Sequence, residues 1–154
     1  LAGELEERRE VSQALEPDTS SAVFVRQRVA RKGGGRKAQT TFIPRLTGAG
    51  YTLAEVRLHT GRKHQIRAHA CWMGFPVVGD KIYGPDESLY LEFIEEGWTD
   101  RLDQALALQR QALHACGLRF DFAEGSRSFH APLPSDLAAF CSKHFDRIPE
   151  LPKL

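Results

Sequence analysis

Apolar residues return at every second position in several stretches of the chain. In Val23–Val29, the side chains of Val23, Val25 and Val29 fall on one face and those of Arg26 and Arg28 on the other, the pattern of a half-buried strand. Gly33-Gly34-Gly35 then makes a turn, and 38–46 reads as a second strand, so the spacing predicts a hairpin with a basic loop at its tip. Pro44 places an edge or a bulge near the end of that strand. Tyr51–His59 is the clearest strand, with Ala54, Val56 and Leu58 on one face. A further strand is predicted over 113–122, with Cys116, Leu118, Phe120 and Phe122 aligned and a short partner at 129–131.

The period changes to that of a helix in four places. Over 63–73, Ile66, Ala70 and Met73 take core-facing positions, Gly74 suits the residue just past the end, and Pro76 follows. Ser88–Glu96 is a helix that Ser88 can cap and Gly97 ends, with Leu89 and Phe93 one turn apart. A short helix follows over 99–108. Ser135–Phe145 carries Leu137, Phe140, Cys141 and His144 on one stripe. Residues 1–16 read as a short polar helix or a loose lead-in. The mixture is α+β, with a mixed, largely antiparallel sheet and flanking helices. The expected organisation is a polar lead-in over 1–18, a body over 19–146 and a tail over 147–154.

Composition narrows the class without naming a function. The chain has 154 residues, 42% of them hydrophobic and 27% charged, which excludes wholesale disorder and a coiled-coil rod. No run approaches the roughly 18 apolar residues of a membrane helix. Three cysteines without framework spacing, and no visible signal peptide, lead us to expect a reducing cytoplasm. The chain opens on Leu1 and its only methionine is Met73, so we expect a piece of a longer polypeptide.

Charge is uneven although the net is +1. Residues 1–84 hold 14 Lys/Arg against 8 Asp/Glu, and residues 85–154 hold 7 against 12. No acid stands between Asp18 and Glu55, a stretch carrying Arg26, Arg28, Arg31, Lys32, Arg36, Lys37 and Arg45. Such a one-sided surface concentrates polyanions. A solvated loop is the plainer reading of a charge run alone.

Among candidate chemistries, metal binding is weak. His64 and His69 are five apart, His114 and Cys116 make only two ligands, and there is no Cys-x-x-Cys. Neither a Gly-x-Ser-x-Gly elbow nor a P-loop occurs. The unusual segment is Leu58-His59-Thr60-Gly61-Arg62-Lys63-His64-Gln65-Ile66-Arg67-Ala68-His69, where a strand passes into a helix. Cations crowd the helix's first turn against the macrodipole preference for acids. Arg62, Lys63, His64 and backbone N–H groups there suit a phosphate. Arg67 lies one turn on, at the edge of the buried face, where a guanidinium needs a carboxylate or phosphate partner. The alternative is surface cations on an exposed helix.

These residues carry a resemblance. Thr60, Gly61, Arg62, His64, Gln65, Ile66, Arg67 and His69, followed by Gly74, Pro76, Gly79, Asp80, Tyr83 and Gly84, resemble the signature of the RluA family of RNA pseudouridine synthases. Arg110–Ala115 and Ala131–Asp136 match further family blocks, and Lys37–Thr40 does so loosely. The resemblance implies isomerisation of uridine in ribosomal or transfer RNA, with no cofactor and no metal. It implies an aspartate nucleophile whose carboxylate is paired with Arg67, a pairing that favours the ionised, nucleophilic form. The target base must leave its stack to reach it. It further implies RNA contacts from Arg62, Lys63, His64, Gln65, Arg36 and Lys37, and an active-site wall that includes Ile66 and Tyr83.

The family's aspartate motif, H-R-L-D-x-x-T-S-G, does not occur in this sequence. Arg101-Leu102-Asp103 imitates its core in the wrong context, and Asp103 reads as a helix-surface acid. The family's tyrosine block, on a strand, is missing too. The chain therefore resembles the C-terminal half of the catalytic domain, inactive alone, with the N-terminal half and RNA as partners. A missing half would leave a strand edge and apolar surface open, and with them a tendency to dimerise or aggregate. The helices of the 85–109 insert are expected to pack on the missing half. A non-catalytic RNA-binding half-domain and a His/Cys metal hydrolase are the competing readings.

Overall fold

The structure is a computed structural model that describes residues 1–31 and 33–151. Lys32 of the basic stretch and residues 152–154 of the expected tail lie outside the described residues. The chain divides into two compact units, Leu1–Ala112 and Leu113–Leu154.

The first unit is built on an antiparallel sheet of three strands in the order β1 (Arg9–Val11), β4 (Thr40–Gly48) and β5 (Tyr51–Leu58). β4 and β5 form a hairpin closed by Ala49 and Gly50, both left-handed at φ 52° and 77°, the signature of a type I′ turn. The register slips between Pro44 and Leu46, so the bulge expected from Pro44 is present. Phe42, Thr40 and Thr41 on β4 are fully buried. Among the described residues, the far edge of β5 is paired only at its start. There Leu1 and Thr52 exchange N–H···O bonds of 2.8 and 3.0 Å, and Ala2 bridges Tyr51. Leu58 at the other end is 52% exposed, so the face expected to hold it is only partly buried.

Two expectations fail here. Residues 1–16 are neither a helix nor a loose lead-in: they supply β1 and β2 (Leu15–Pro17), and Leu5, Val11 and Leu15 are buried. The predicted hairpin partner is also wrong. β3 (Gln27–Val29) pairs with β2, with Leu15 opposite Val29, and not with β4. Leu15 and Arg36 add a second backbone exchange on the other side of β2, so the 33–36 turn closes back onto it.

Helix α1 (Gln65–Trp72) ends at Met73 in the expected way. Gly74 is left-handed, its N–H bonds the Cys71 carbonyl, and the Phe75 N–H reaches the Ala70 carbonyl, a Schellman ending. Its buried stripe is Gln65, Ala68, His69 and Ala70; Ile66 and Met73 are only half-buried. Ala68 joins Leu15, Val23, Ala38, Ile82 and Tyr83 in the main core. α2 (Ser88–Glu96) and α3 (Asp100–Ala105) form at the expected places, with Thr99 capping α3. Leu89, Leu102 and Leu106 make a small core of their own, and Tyr90 and Leu91 of α2 pack against the main core. The insert thus rests on this unit itself. Asp103 is exposed on α3, as expected.

The second unit contains the β6–β7 hairpin (Gly117–Phe122 and Gly125–His130) and α4 (Ser135–Phe145). The three sheets among the described residues are all antiparallel. Leu118, Phe120, Phe122 and Phe129 on the hairpin are about half exposed. His114 and Cys116 precede β6, and the His114 ring bonds the Ala131 carbonyl at 3.1 Å. No helix among the described residues is long and apolar enough to cross a membrane.

Candidate active site

The loop between β5 and α1 is held by one amide side chain. Gln65 is 3% exposed and makes four bonds. Its Oε1 accepts from the Thr60 hydroxyl (2.8 Å) and the Arg62 N–H (3.0 Å), and its Nε2 donates to the Gln39 carbonyl (3.0 Å) and the Thr40 hydroxyl (2.8 Å). All of its ordinary capacity is spent inside the protein. Gln65, expected among the RNA contacts, is placed inward, where it shapes the loop that presents its neighbours. The chain of bonds continues inward. The Thr40 hydroxyl meets His69 Nδ1 at 2.9 Å, and His69 Nε2 meets the Gln13 carbonyl at 2.9 Å. His69 is fully buried, and burial holds its pKa below the usual imidazole range.

Arg62 folds back so that its Nε donates to the Lys37 carbonyl at 3.0 Å, which brings the Arg36–Lys37 segment beside the start of α1. Arg36, Lys37 and Lys63 are exposed. The rest of the basic stretch is less basic in space than in sequence. Arg26 pairs with Glu87 and Asp18, Arg28 with Glu16 and Asp18, and Arg45 with Glu55. Among the described residues, Arg31, Arg36 and Lys37 of this stretch and Arg62 and Lys63 before α1 have no acidic partner.

Arg67 finds the carboxylate its position demands. Its Nε and Nη2 donate to Asp80 Oδ2 and Oδ1 at 2.6 and 2.7 Å, a side-on bidentate pair. The Asp80 side chain is 0% exposed and that of Arg67 13%. Asp80 Oδ1 also accepts the N–H groups of Ile82 and Tyr83, each at 3.0 Å, so one carboxylate closes the 79–83 turn and orients the guanidinium. The turn needs its glycine: a Cβ on Gly79 (φ 72°) would stand 2.1 Å from the Arg110 carbonyl oxygen. Arg67 Nη1 has no partner among the described residues.

Tyr83 lies beneath this pair. The Arg67 guanidinium sits 5.0 Å from the ring centroid and that of Arg26 5.4 Å. Tyr83, expected in the active-site wall, is almost wholly buried and its ring supports the Arg67 guanidinium. Burial pushes its phenol up to about 12. The Gln27 N–H donates to its oxygen at 2.6 Å, and His64 Nδ1 stands 3.1 Å away. His64 is half-buried at the N-terminus of α1 with a left-handed backbone, φ 53°. Burial, with Arg67 and Lys63 nearby, lowers its pKa to about 4.

The structure thus gathers Arg62, Lys63, His64, Arg67 and Tyr83 and moves Gln65 inside. Sequence reasoning missed Asp80 as the partner of Arg67. The available signal was a lone acid in the apolar run Val77-Val78-Gly79-Asp80, since a buried carboxylate has to be paired.

Comparison with known proteins agrees. Residues 3–71 match the family model for RNA pseudouridylate synthase. An uncharacterized RNA pseudouridine synthase of Chloroflexus aurantiacus is 39% identical over 124 residues, covering 79% of this chain and 34% of that protein. The chloroplastic RNA pseudouridine synthase 2 of Arabidopsis thaliana is 39% identical over 118 residues, covering 70% of this chain and 27% of its own length. Ribosomal large subunit pseudouridine synthase D of Xanthomonas campestris is 38% identical over 120 residues, covering 76% and 35%. This chain therefore spans about a third of the length of the relatives it matches. The solved structure of human RNA pseudouridylate synthase domain containing 1 superposes with a TM-score of 0.63 at 25% identity, covering 85% of this chain and 51% of that one. The match begins in the N-terminal strands, runs through the Gln65-anchored loop, and ends within α1 beyond Arg67: this chain belongs to the RNA pseudouridine synthase family.

Proposed function

We propose that this chain is the arginine-bearing part of an enzyme that isomerises uridine to pseudouridine in RNA, and that it is inactive alone. An aspartate outside this sequence attacks the uridine, the glycosidic bond breaks, the base turns, and carbon replaces nitrogen in the bond to the ribose. Atoms balance within the nucleotide, so the reaction as written consumes no cofactor. Arg67 carries the reading. Asp80 holds its guanidinium through Nε and Nη2, which leaves Nη1 to face a second carboxylate while the Tyr83 ring fixes the plane. A guanidinium so placed keeps an incoming aspartate ionised and nucleophilic. Arg62, Lys63, Arg36 and Lys37 meet the RNA backbone. The name of the Xanthomonas relative makes ribosomal RNA the substrate to try first. A cytoplasmic location, or that of the ribosomes concerned, follows from this substrate.

The test joins gene and activity. The DNA upstream of the Leu1 codon should encode an in-frame H-R-L-D-x-x-T-S-G motif. The protein so extended should release tritium from RNA labelled at uridine C5, and the 154-residue chain should not. Arg67→Ala should abolish turnover while RNA binding falls by far less. Equal loss of binding and turnover would make Arg67 a phosphate contact only, and a stop codon upstream would overturn the reading and favour a non-catalytic RNA-binding protein.

A further inference from the structure

The hydrogen-bond polarity around Tyr83 can be followed atom by atom. The Gln27 backbone N–H can only donate, so the Tyr83 oxygen accepts it. The hydroxyl proton must then go elsewhere, and Tyr83 is buried away from water. Among the described residues, the one acceptor in reach is His64 Nδ1 at 3.1 Å. That nitrogen therefore carries a lone pair, and in the neutral ring the proton sits on Nε2. An imidazolium would set two protons against each other at the Tyr83–His64 contact and orphan a buried hydroxyl. The charged groups facing the ring also oppose it on balance: Lys63 before α1, Arg67 on α1, and Asp80 from the 79–83 turn, whose carboxylate is already taken by Arg67. The Nε2–H has no partner among the described residues. The left-handed backbone at His64 is a sparsely populated conformation for a residue with a side chain, maintained by the bonds around it.

We propose that His64 contacts the bound RNA strand as a neutral hydrogen-bond donor, through Nε2–H to an oxygen of the RNA, with Tyr83 fixing the tautomer. This rests on the RNA-acting reading above. It separates His64 from Arg62 and Lys63, which act as charges. A neutral donor adds affinity without releasing counterions, so its loss leaves the salt dependence of binding unchanged.

Two measurements test this on the 154-residue chain. Nitrogen–proton NMR of the imidazoles should find His64 as the Nε2–H tautomer at pH 6, titrating only below pH 5. Finding the Nδ1–H tautomer, or titration near pH 6.5, would overturn the proposal. Binding of a fluorescein-labelled, uridine-containing single-stranded RNA should weaken about 3- to 10-fold in His64→Phe, the scale of one net hydrogen bond, with an unchanged slope against salt. His64→Gln, which can accept from Tyr83 and still donate, should recover most of it. Lys63→Ala should lower the slope by about 0.7, one phosphate contact on a single strand. Tyr83→Phe removes the hydroxyl that fixes the tautomer, so the same imidazole spectra should show the Nδ1–H form appearing beside Nε2–H, and an unchanged tautomer would overturn the proposal. If His64→Phe binds like the parent while Lys63→Ala binds less well, the proposal fails and the RNA reading stands. If the parent chain does not bind RNA, the proposal fails, and the RNA reading is decided by the tritium release of the extended protein.

Discussion

Replacing Asp80 by asparagine keeps the shape of the 79–83 turn and removes one charge. Oδ1 can still accept from the Ile82 and Tyr83 N–H groups, while an amide NH2 now faces the Arg67 guanidinium. The Arg67 side chain is 13% exposed, so its charge is left without a partner in a nearly dry site. Breaking one side of such a pair costs about 3–5 kcal/mol. At a urea m-value of about 2 kcal/mol/M, a loss of about 3 kcal/mol moves the unfolding midpoint down by about 1.5 M. Far-UV circular dichroism of the 154-residue chain reads this directly. The paired change Arg67→Met with Asp80→Asn removes both charges and should cost less than the sum of the single changes by about 1–3 kcal/mol. A shift under about 0.5 M for Asp80→Asn, or strict additivity in the cycle, would refute a structural pairing of these two residues.

Other outcomes follow from local geometry. Ala49 occupies a left-handed turn position that asparagine tolerates better, so Ala49→Asn should stabilise by about 0.5–1 kcal/mol and raise Tm by about 1–4 °C; an unchanged or lower Tm would contradict the type I′ assignment. His64 and His69 are both held neutral in the fold, with His64 near 4, while unfolded imidazoles titrate near 6.5. Below 6.5 the unfolded chain binds protons the folded chain refuses, so stability is full above that pH and declines from 6.5 toward 4. The urea midpoint at pH 5 should lie below that at pH 7.5, and equal midpoints would count against buried neutral histidines. Ala68→Leu forces bulk between α1 and the main core and should destabilise by about 1–3 kcal/mol in the same urea assay.

Elements governed by local chemistry were legible in the sequence. Gly74 fixed the end of α1, Pro44 the bulge, and α4 runs over the expected Ser135–Phe145. The errors concern pairing between distant segments. β1 is three residues long with a single buried side chain, Val11, too few positions to display a period of two. β3 is shorter than the expected 23–29 strand: residues 23–25 form bends and turns, its three residues are all half-buried, and nothing local says whether its neighbour is β2 or β4. The site divides along the same line. The crowd of cations before α1 was visible as a conflict with the helix dipole, and the need of Arg67 for a carboxylate was evident from its position. That the carboxylate is Asp80, and that Gln65 turns inward, depends on a loop folding back onto the helix, which no periodicity encodes.

The open edge of β5 has a consequence for how a further strand would join the sheet. Thr52 turns both its N–H and its carbonyl outward to Leu1, and the His59 N–H turns inward to the Gln39 carbonyl. Alternation then assigns the outward groups to Ala54, Val56 and Leu58, spaced at about 6.8 Å. They act as a ruler whose zero is the Leu1–Thr52 pair. A strand laid along it can slip only in two-residue steps, because a one-residue slip would invert every side chain. A strand covalently continuous with Leu1 would find its first pair already made. It would add by zippering, with no loop to close, and the slow step of sheet growth would already be complete.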